Sequence, residues 1–151
     1  MKMIRKLFLL LPAIMLSLCI VACNDDDDDD FAGVKNFNDL PQQAQAFLND
    51  YFSTYNISSI TMSDNGYEVN FDNGTEVDFN AQGIWTDIDA GLGYYVPFEI
   101  VPLGISSYLS TNFPTQNITE ISRTVTGGYI VELTNDAELI FDINGDFLGY
   151  D

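Results

Sequence analysis

From Ala44 to Tyr55 apolar side chains return at intervals of three and four, at Ala44, Phe47, Leu48, Tyr51, Phe52 and Tyr55, with Gln42, Gln43, Gln45, Asn49 and Asp50 between them. A helix turns once in 3.6 residues, so this spacing gathers one apolar stripe. Asp39 is placed to cap this helix, and Pro41 suits its first turn, where a missing N–H loses no partner. The period then changes to two. After a β-rich run from Ile57 to Met62, the residues Tyr67, Val69 and Phe71 alternate with Glu68, Asn70 and Asp72. Beyond Asp72-Asn73-Gly74, the residues Thr75, Val77 and Phe79 alternate with Glu76, Asp78 and Asn80. Such alternation marks strands with one covered face and one wet face, and Asn-Gly predicts a tight two-residue hairpin turn.

The pattern is then stated a second time. At a shift of 61, Ala44 falls on Ile105, Phe47 on Tyr108, Leu48 on Leu109 and Phe52 on Phe113. One residue inserted near Gly127 makes the shift 62, and Gly66-Tyr67-Glu68-Val69 falls on Gly128-Tyr129-Ile130-Val131, Phe79 on Phe141, Gly83 on Gly145 and Trp85 on Phe147. The second helix runs from about Pro102 to Asn112 and stops before Pro114. A unit of this length cannot cover its own apolar face, so two of them are expected to fold together. The expected fold class is α+β, with two tandem helix-plus-antiparallel-meander repeats forming one sheet and both helices on one face. Repeat 1 spans residues 37–89 and repeat 2 residues 98–151, joined by a connection over 90–97.

The N-terminus supplies an address. Lys2, Arg5 and Lys6 precede an uncharged apolar run from Leu7 to Val21, the layout of a secretory signal and too short for a good membrane span. The run ends in Ile20-Val21-Ala22-Cys23, which resembles the lipobox of bacterial lipoproteins. That resemblance implies a signal over residues 1–22 and diacylation of Cys23, with residues 23–36 as a lipid-anchored acidic tether. Two or three acyl chains anchor a protein stably where one does not. The alternative is an ordinary cleavage site that leaves Cys23 a free thiol. The six aspartates Asp25 to Asp30 that follow form a self-repelling, solvated spacer. They also resemble the export signal that carries Bacteroidetes lipoproteins through the outer membrane to the cell surface. The expected location is therefore the outer membrane, surface-exposed, with a periplasm-facing lipoprotein as the alternative.

Charge removes several function classes. With the signal gone, only Lys35 and Arg123 oppose 23 acids, a net charge of −21. Nucleic acid is excluded as a partner, as is broad attachment to anionic lipid, since both need clustered cations. The sequence has no histidine, and its two cysteines are Cys19 in the signal and Cys23. The mature domain thus lacks a disulfide, a thiol nucleophile and a histidine base, and is read as no enzyme. Paired carboxylates remain arithmetically available for acid catalysis, but Glu68, Glu76, Glu132 and Glu138 alternate with core residues and read as a solvated face. Asp142-Ile143-Asn144-Gly145-Asp146 resembles the opening of a calcium loop, yet Phe147 stands where that loop needs glycine and no bidentate glutamate follows. At the equivalent Asn80-Ala81-Gln82-Gly83-Ile84 the acids are gone and the glycine stays, so the shared element is a turn. No cofactor and no metal are expected, although loose calcium binding by the aspartate run is a further reading of that stretch.

Leu40-Pro41, Gly66-Tyr67-Glu68-Val69, Phe79-Asn80-Ala81-Gln82-Gly83-Ile84-Trp85, Gly128-Tyr129-Ile130-Val131-Glu132-Leu133 and Phe141 to Phe147 together resemble the PepSY-like lipoproteins of Bacteroidetes. That family is described as similar to the beta-lactamase-inhibitor protein fold. The resemblance covers about residues 37–151 and carries no functional motif to these positions. The function expected is a non-catalytic protein- or ligand-binding module of the cell envelope, inhibitor-like in character, acting through the open face of the sheet and the Gly91 to Phe98 connection. The alternative is a structural, envelope-maintenance lipoprotein without a single tight partner. Comparison of the copies places the binding surface. Glu68, Asn70, Glu76 and Asp78 become Ile130, Glu132, Glu138 and Ile140, and a bulged turn at Gly145 would send Leu148 and Tyr150 outward beside the two isoleucines. Ile130, Ile140, Leu148 and Tyr150 are therefore the candidate patch for a protein partner.

Overall fold

A computed structural model describes residues 35–63 and 65–151. The signal, Cys23 and the acidic tether up to residue 34 lie outside the described residues. A 3-10 turn over Phe37–Asp39 leads into α1, Gln42–Tyr51, then β1 (Ile57–Ser63), β2 (Gly66–Phe71), β3 (Glu76–Asn80) and β4 (Trp85–Asp89). The order then recurs as α2 (Leu103–Asn112), β5 (Ile118–Arg123), β6 (Tyr129–Leu133), β7 (Glu138–Phe141) and β8 (Phe147–Tyr150). The class is α+β, as the alternation of periods predicts. All eight strands form one antiparallel sheet in sequence order, and β4 pairs directly with β5.

Register across the sheet aligns every strand into rows. One row runs Val69, Val77, Ile88, Ile121, Val131 and Leu139, each essentially without exposure. Both helices lie on this side: Phe47 meets Phe79 and Trp85, Phe52 stacks on Phe71, and Tyr108 meets Phe141 and Phe147. Ala44, Leu48, Ile105 and Leu109 are the buried helical residues, so the apolar stripe read from the sequence is the seam between helix and sheet. Arrangement in rows places the remaining side chains of β2 to β7 on a second face, over which no helix or strand among the described residues lies.

Local chemistry explains the connections and corrects two expectations. Pro41 itself occupies the N-cap of α1, while Asp39 turns back and accepts the Asn36 N–H at 2.9 Å. The first hairpin carries a three-residue loop rather than a two-residue turn. The Phe71 N–H donates to the Thr75 carbonyl, and Gly74 alone takes the left-handed conformation, at φ 84°. The copy-two counterpart is Asp136, at φ 61°, the one non-glycine residue with positive φ among those described. Gly83 and Gly145 close the other loops against the helix starts. A Cβ on Gly83 would lie 2.7 Å from Pro41 Cβ, and one on Gly145 2.9 Å from the Ile105 nitrogen. Those two positions need glycine for conformation and for close approach at once.

Candidate functional site: the open face of the sheet

Two rows dominate the open face. The first runs Asn70, Glu76, Asp89, Glu120, Glu132 and Glu138, each opposite the next on the neighbouring strand. The second runs Glu68, Asp78, Asp87, Ser122, Ile130, Ile140 and Gly149. Eight carboxylates thus share one surface, and six cross-strand pairs set acid directly against acid. Like charges in such pairs destabilise a sheet, so the arrangement opposes its own fold at neutral pH.

The carboxyl groups respond to this crowding. Asp87 is held up to about 7, by burial first and then by Glu120, Asp78, Asp89 and Glu76. Burial and neighbouring acids also raise Glu76, Asp78 and Glu120 above the ordinary carboxylate range. The tightest knot is in repeat 1, where one oxygen from each of Glu68, Glu76 and Asp78 lies within 4.8 Å of the others. Asn70 Nδ2 donates to Glu68 Oε1 at 2.6 Å and fixes that side chain. The Oδ1 atom of Asp78 is buried with no hydrogen-bond partner.

The predicted patch is only half assembled. Ile130 and Ile140 are cross-strand partners on the open face, both half-buried. The turn at Gly145 does hold three residues and sets Phe147 beside Phe141. A second irregularity follows at once: Gly149 pairs with Ile140, leaving Leu148 as the extra, exposed residue of a bulge. That single insertion reverses the alternation beyond it. Tyr150 therefore pairs with Leu139 and packs edge-on against Phe147 at 5.3 Å, on the helix side of the sheet and away from the isoleucines. The Gly91 to Phe98 connection anchors Val96 in the core and borders Thr119, Glu132, Thr134 and Asp136, enclosing a cleft of about 400 Å³ that Ile130 and Ile140 do not line.

The Asp142 loop is a turn. Asp142 Oδ1 accepts the backbone N–H groups of Asn144 and Asp146 at 2.9 and 2.8 Å, and these bonds hold its carboxyl below the ordinary value. Asn80 does the same for Gln82 and Ile84 in repeat 1. Sequence reasoning missed Asp87, Asp89 and Glu120 as members of the acidic band. The signal was present, since Asp87-Ile88-Asp89 and Glu120-Ile121-Ser122 alternate like the strands already read; what was absent was the pairing of β4 with β5 that makes the two acidic sets one.

Solved structures of similar proteins come from Bacteroides. One, from Bacteroides thetaiotaomicron and provisionally described as a calcium-regulated periplasmic protein, is 32% identical with a TM-score of 0.74, covering 78% of this chain and 94% of its own. Two from Bacteroides vulgatus, both described as periplasmic, are 31% and 30% identical with TM-scores of 0.75 and 0.73; the matches span 83% and 79% of this chain and 99% and 98% of theirs. No curated protein matches. Among the described residues no helix is long and apolar enough to cross a membrane. The family profile described as beta-lactamase-inhibitor-like, PepSY-like matches residues 34–78 and again 65–149. With the profile matched over most of the described residues, and relatives of the same fold matched along nearly their whole length, the chain belongs to the PepSY-like, beta-lactamase-inhibitor-like family.

Proposed function

We propose that this protein is a non-catalytic binding module of the cell envelope whose open sheet face is the working surface, and that the ligand of that face is calcium. The observation that carries the reading is the Glu68, Glu76 and Asp78 knot. Oxygens bound to one calcium ion at about 2.4 Å lie no more than ~4.8 Å apart, and the spacing of these three meets that condition. The unpartnered Asp78 Oδ1 supplies an acceptor for which the fold offers no donor. Asn70 pre-positions Glu68, as a neighbour outside the ligand set does in metal sites. The relative described as calcium-regulated supports the choice of ion. A bound cation would turn the repulsion between β2 and β3 into a bridge, making the stability of the face depend on ion concentration.

Thermal melting at pH 7.5 tests this directly. Calcium chloride at 5 mM is expected to raise Tm by ~5 °C over the same protein in EDTA at equal ionic strength. The double variant Glu76→Gln with Asp78→Asn should lose that response, and Glu138→Gln should keep it. An equal rise with sodium chloride alone would reduce the effect to screening and overturn the reading.

A protein partner is the second reading, favoured by one observation: Leu92 is fully exposed in the connection, with Tyr94 and Tyr95 exposed beside it. A photo-crosslinking side chain at position 92 is expected to trap a protein adduct in cells, more strongly with calcium than without. No adduct under either condition removes the partner. We propose Cys23 as the lipid anchor of the module to the outer membrane, with Asp25 to Asp30 holding it off the headgroups on the surface side. Acyl chains on that cysteine would hold an acidic protein at a membrane that its charge repels.

A further inference from the structure

Lys35 and Arg123 are the two basic side chains among the described residues. Arg123 closes β5 opposite Tyr129, on the helix side of the sheet. Its guanidinium carbon lies 4.2 Å from the centre of the Trp85 ring and 5.5 Å from that of Tyr129, so repeat 1 and repeat 2 each contribute one wall of an aromatic cradle. Among the described residues it makes neither an ion pair nor a hydrogen bond. Carboxylates are abundant in this chain, yet none of those described pairs with the guanidinium. A cation–π contact uses the charge of the guanidinium, not its N–H donors, which can still fork onto an anion.

Arg123 lines a cleft of about 270 Å³ at the junction of the repeats. Gln43 and Phe47 line it from α1, Ile84 and Trp85 from the turn and start of β4, and Ile100 from the stretch just before α2. The Phe47 and Trp85 rings lie 6.4 Å apart with 29° between their planes, so the apolar wall is largely aromatic and suits a flat apolar body. The volume falls just under the ~300–1,000 Å³ of pockets for drug-sized ligands, which sets the ligand as small. Glu99 also lines the cleft, and the whole chain is strongly acidic, so a dianion such as phosphate is disfavoured against a monoanion.

We propose that the Arg123 and Trp85 cleft is a second binding site, for a small monocarboxylate with a flat apolar body. The carboxylate takes the N–H groups of Arg123, and the body lies along Phe47, Ile84 and Trp85. This site is on the helix side of the sheet and does not depend on the calcium reading. Trp85 is the sole tryptophan of the chain, so its fluorescence reports occupancy directly.

Titration with phenylacetate, in EDTA, is expected to change Trp85 emission saturably, while the neutral isostere phenylacetamide binds at least ~10-fold more weakly. Arg123→Gln should erase the preference and leave both probes weak, and Arg123→Lys should restore part of it. Should Arg123→Gln unfold the protein, the comparison of the two probes on the unaltered chain still decides. Equal affinity for acid and amide, or no saturation up to ~50 mM phenylacetate, overturns the proposal.

Discussion

Asp89 stands directly opposite Glu120, acid against acid, on the strand pair β4–β5 that joins the two halves of the sheet. The contact has a stability cost that mutation can recover. Glu120→Gln is expected to raise the urea midpoint by an amount equivalent to about 0.2–1 kcal/mol, and Asp87→Asn to do the same at pH 8. A lowered midpoint in either variant would show that the acid makes a contact the fold requires.

Acidification should stabilise the domain. Asp87 titrates near 7 in the folded state and at its ordinary lower value when unfolded, and Glu76, Asp78 and Glu120 are displaced in the same direction. Between those values the folded chain holds more protons than the unfolded one, so stability rises as pH falls from about 7 toward 4. Asp142 acts oppositely, because its carboxyl is held low; its contribution is lost only below the ordinary carboxylate value. These side chains are partly solvated, so the shift is modest, a Tm increase of ~5 °C between pH 8 and pH 5. A flat or falling Tm over that interval contradicts the charge map.

The two copies should differ in how much their matching phenylalanines matter. Phe52 is 3% exposed and stacked on Phe71, whereas its counterpart Phe113 is half-buried at the end of α2. Phe52→Ala is expected to cost about 3–5 kcal/mol and Phe113→Ala roughly half as much. Ile88 and Ile121, both without exposure, meet across the junction, so a fragment of residues 37–89 alone should show no cooperative melt. A sharp transition from that fragment would mean that the junction is dispensable.

Turn glycines should also separate by position. A side chain at Gly74 would meet only the Gly91 Cα, at 3.6 Å, and the second repeat already carries Asp136 there. Gly74→Asp is therefore expected to cost no more than about 1 kcal/mol. Gly83→Ala combines positive φ with a close approach to α1 and should cost more than ~2 kcal/mol. Chemical denaturation of the pair checks the ranking, and equal costs would refute it.

The proposed membrane attachment depends on one residue, Cys23. Cys23→Ala is expected to abolish palmitate labelling and detergent-phase partitioning. Replacing Asp25 to Asp30 with neutral residues should protect the domain from protease added to intact cells. Retained labelling in the first case, or unchanged protease sensitivity in the second, removes the anchor or the surface location respectively.

Periodicity determined a great deal here. The change from intervals of three and four to intervals of two fixed which stretches are helix and strand. Its recurrence with Phe52 over Phe113 and Gly83 over Gly145 showed that the chain holds two such units. Those properties are local, because the face a side chain occupies within one element depends only on its position along that element. Relations between strands are not local. Leu148 as a bulge, and with it the turn of Tyr150 to the helix side, depends on how the last strand settles against Ile140 and Phe141. The pairing of β4 with β5 merges two ordinary solvated faces into one acidic band, and brings Arg123 over Trp85. Nothing in the alternation along either strand fixes their mutual register; that is set by the packing of both repeats on a common core, so the candidate sites became visible only when the sheet was assembled.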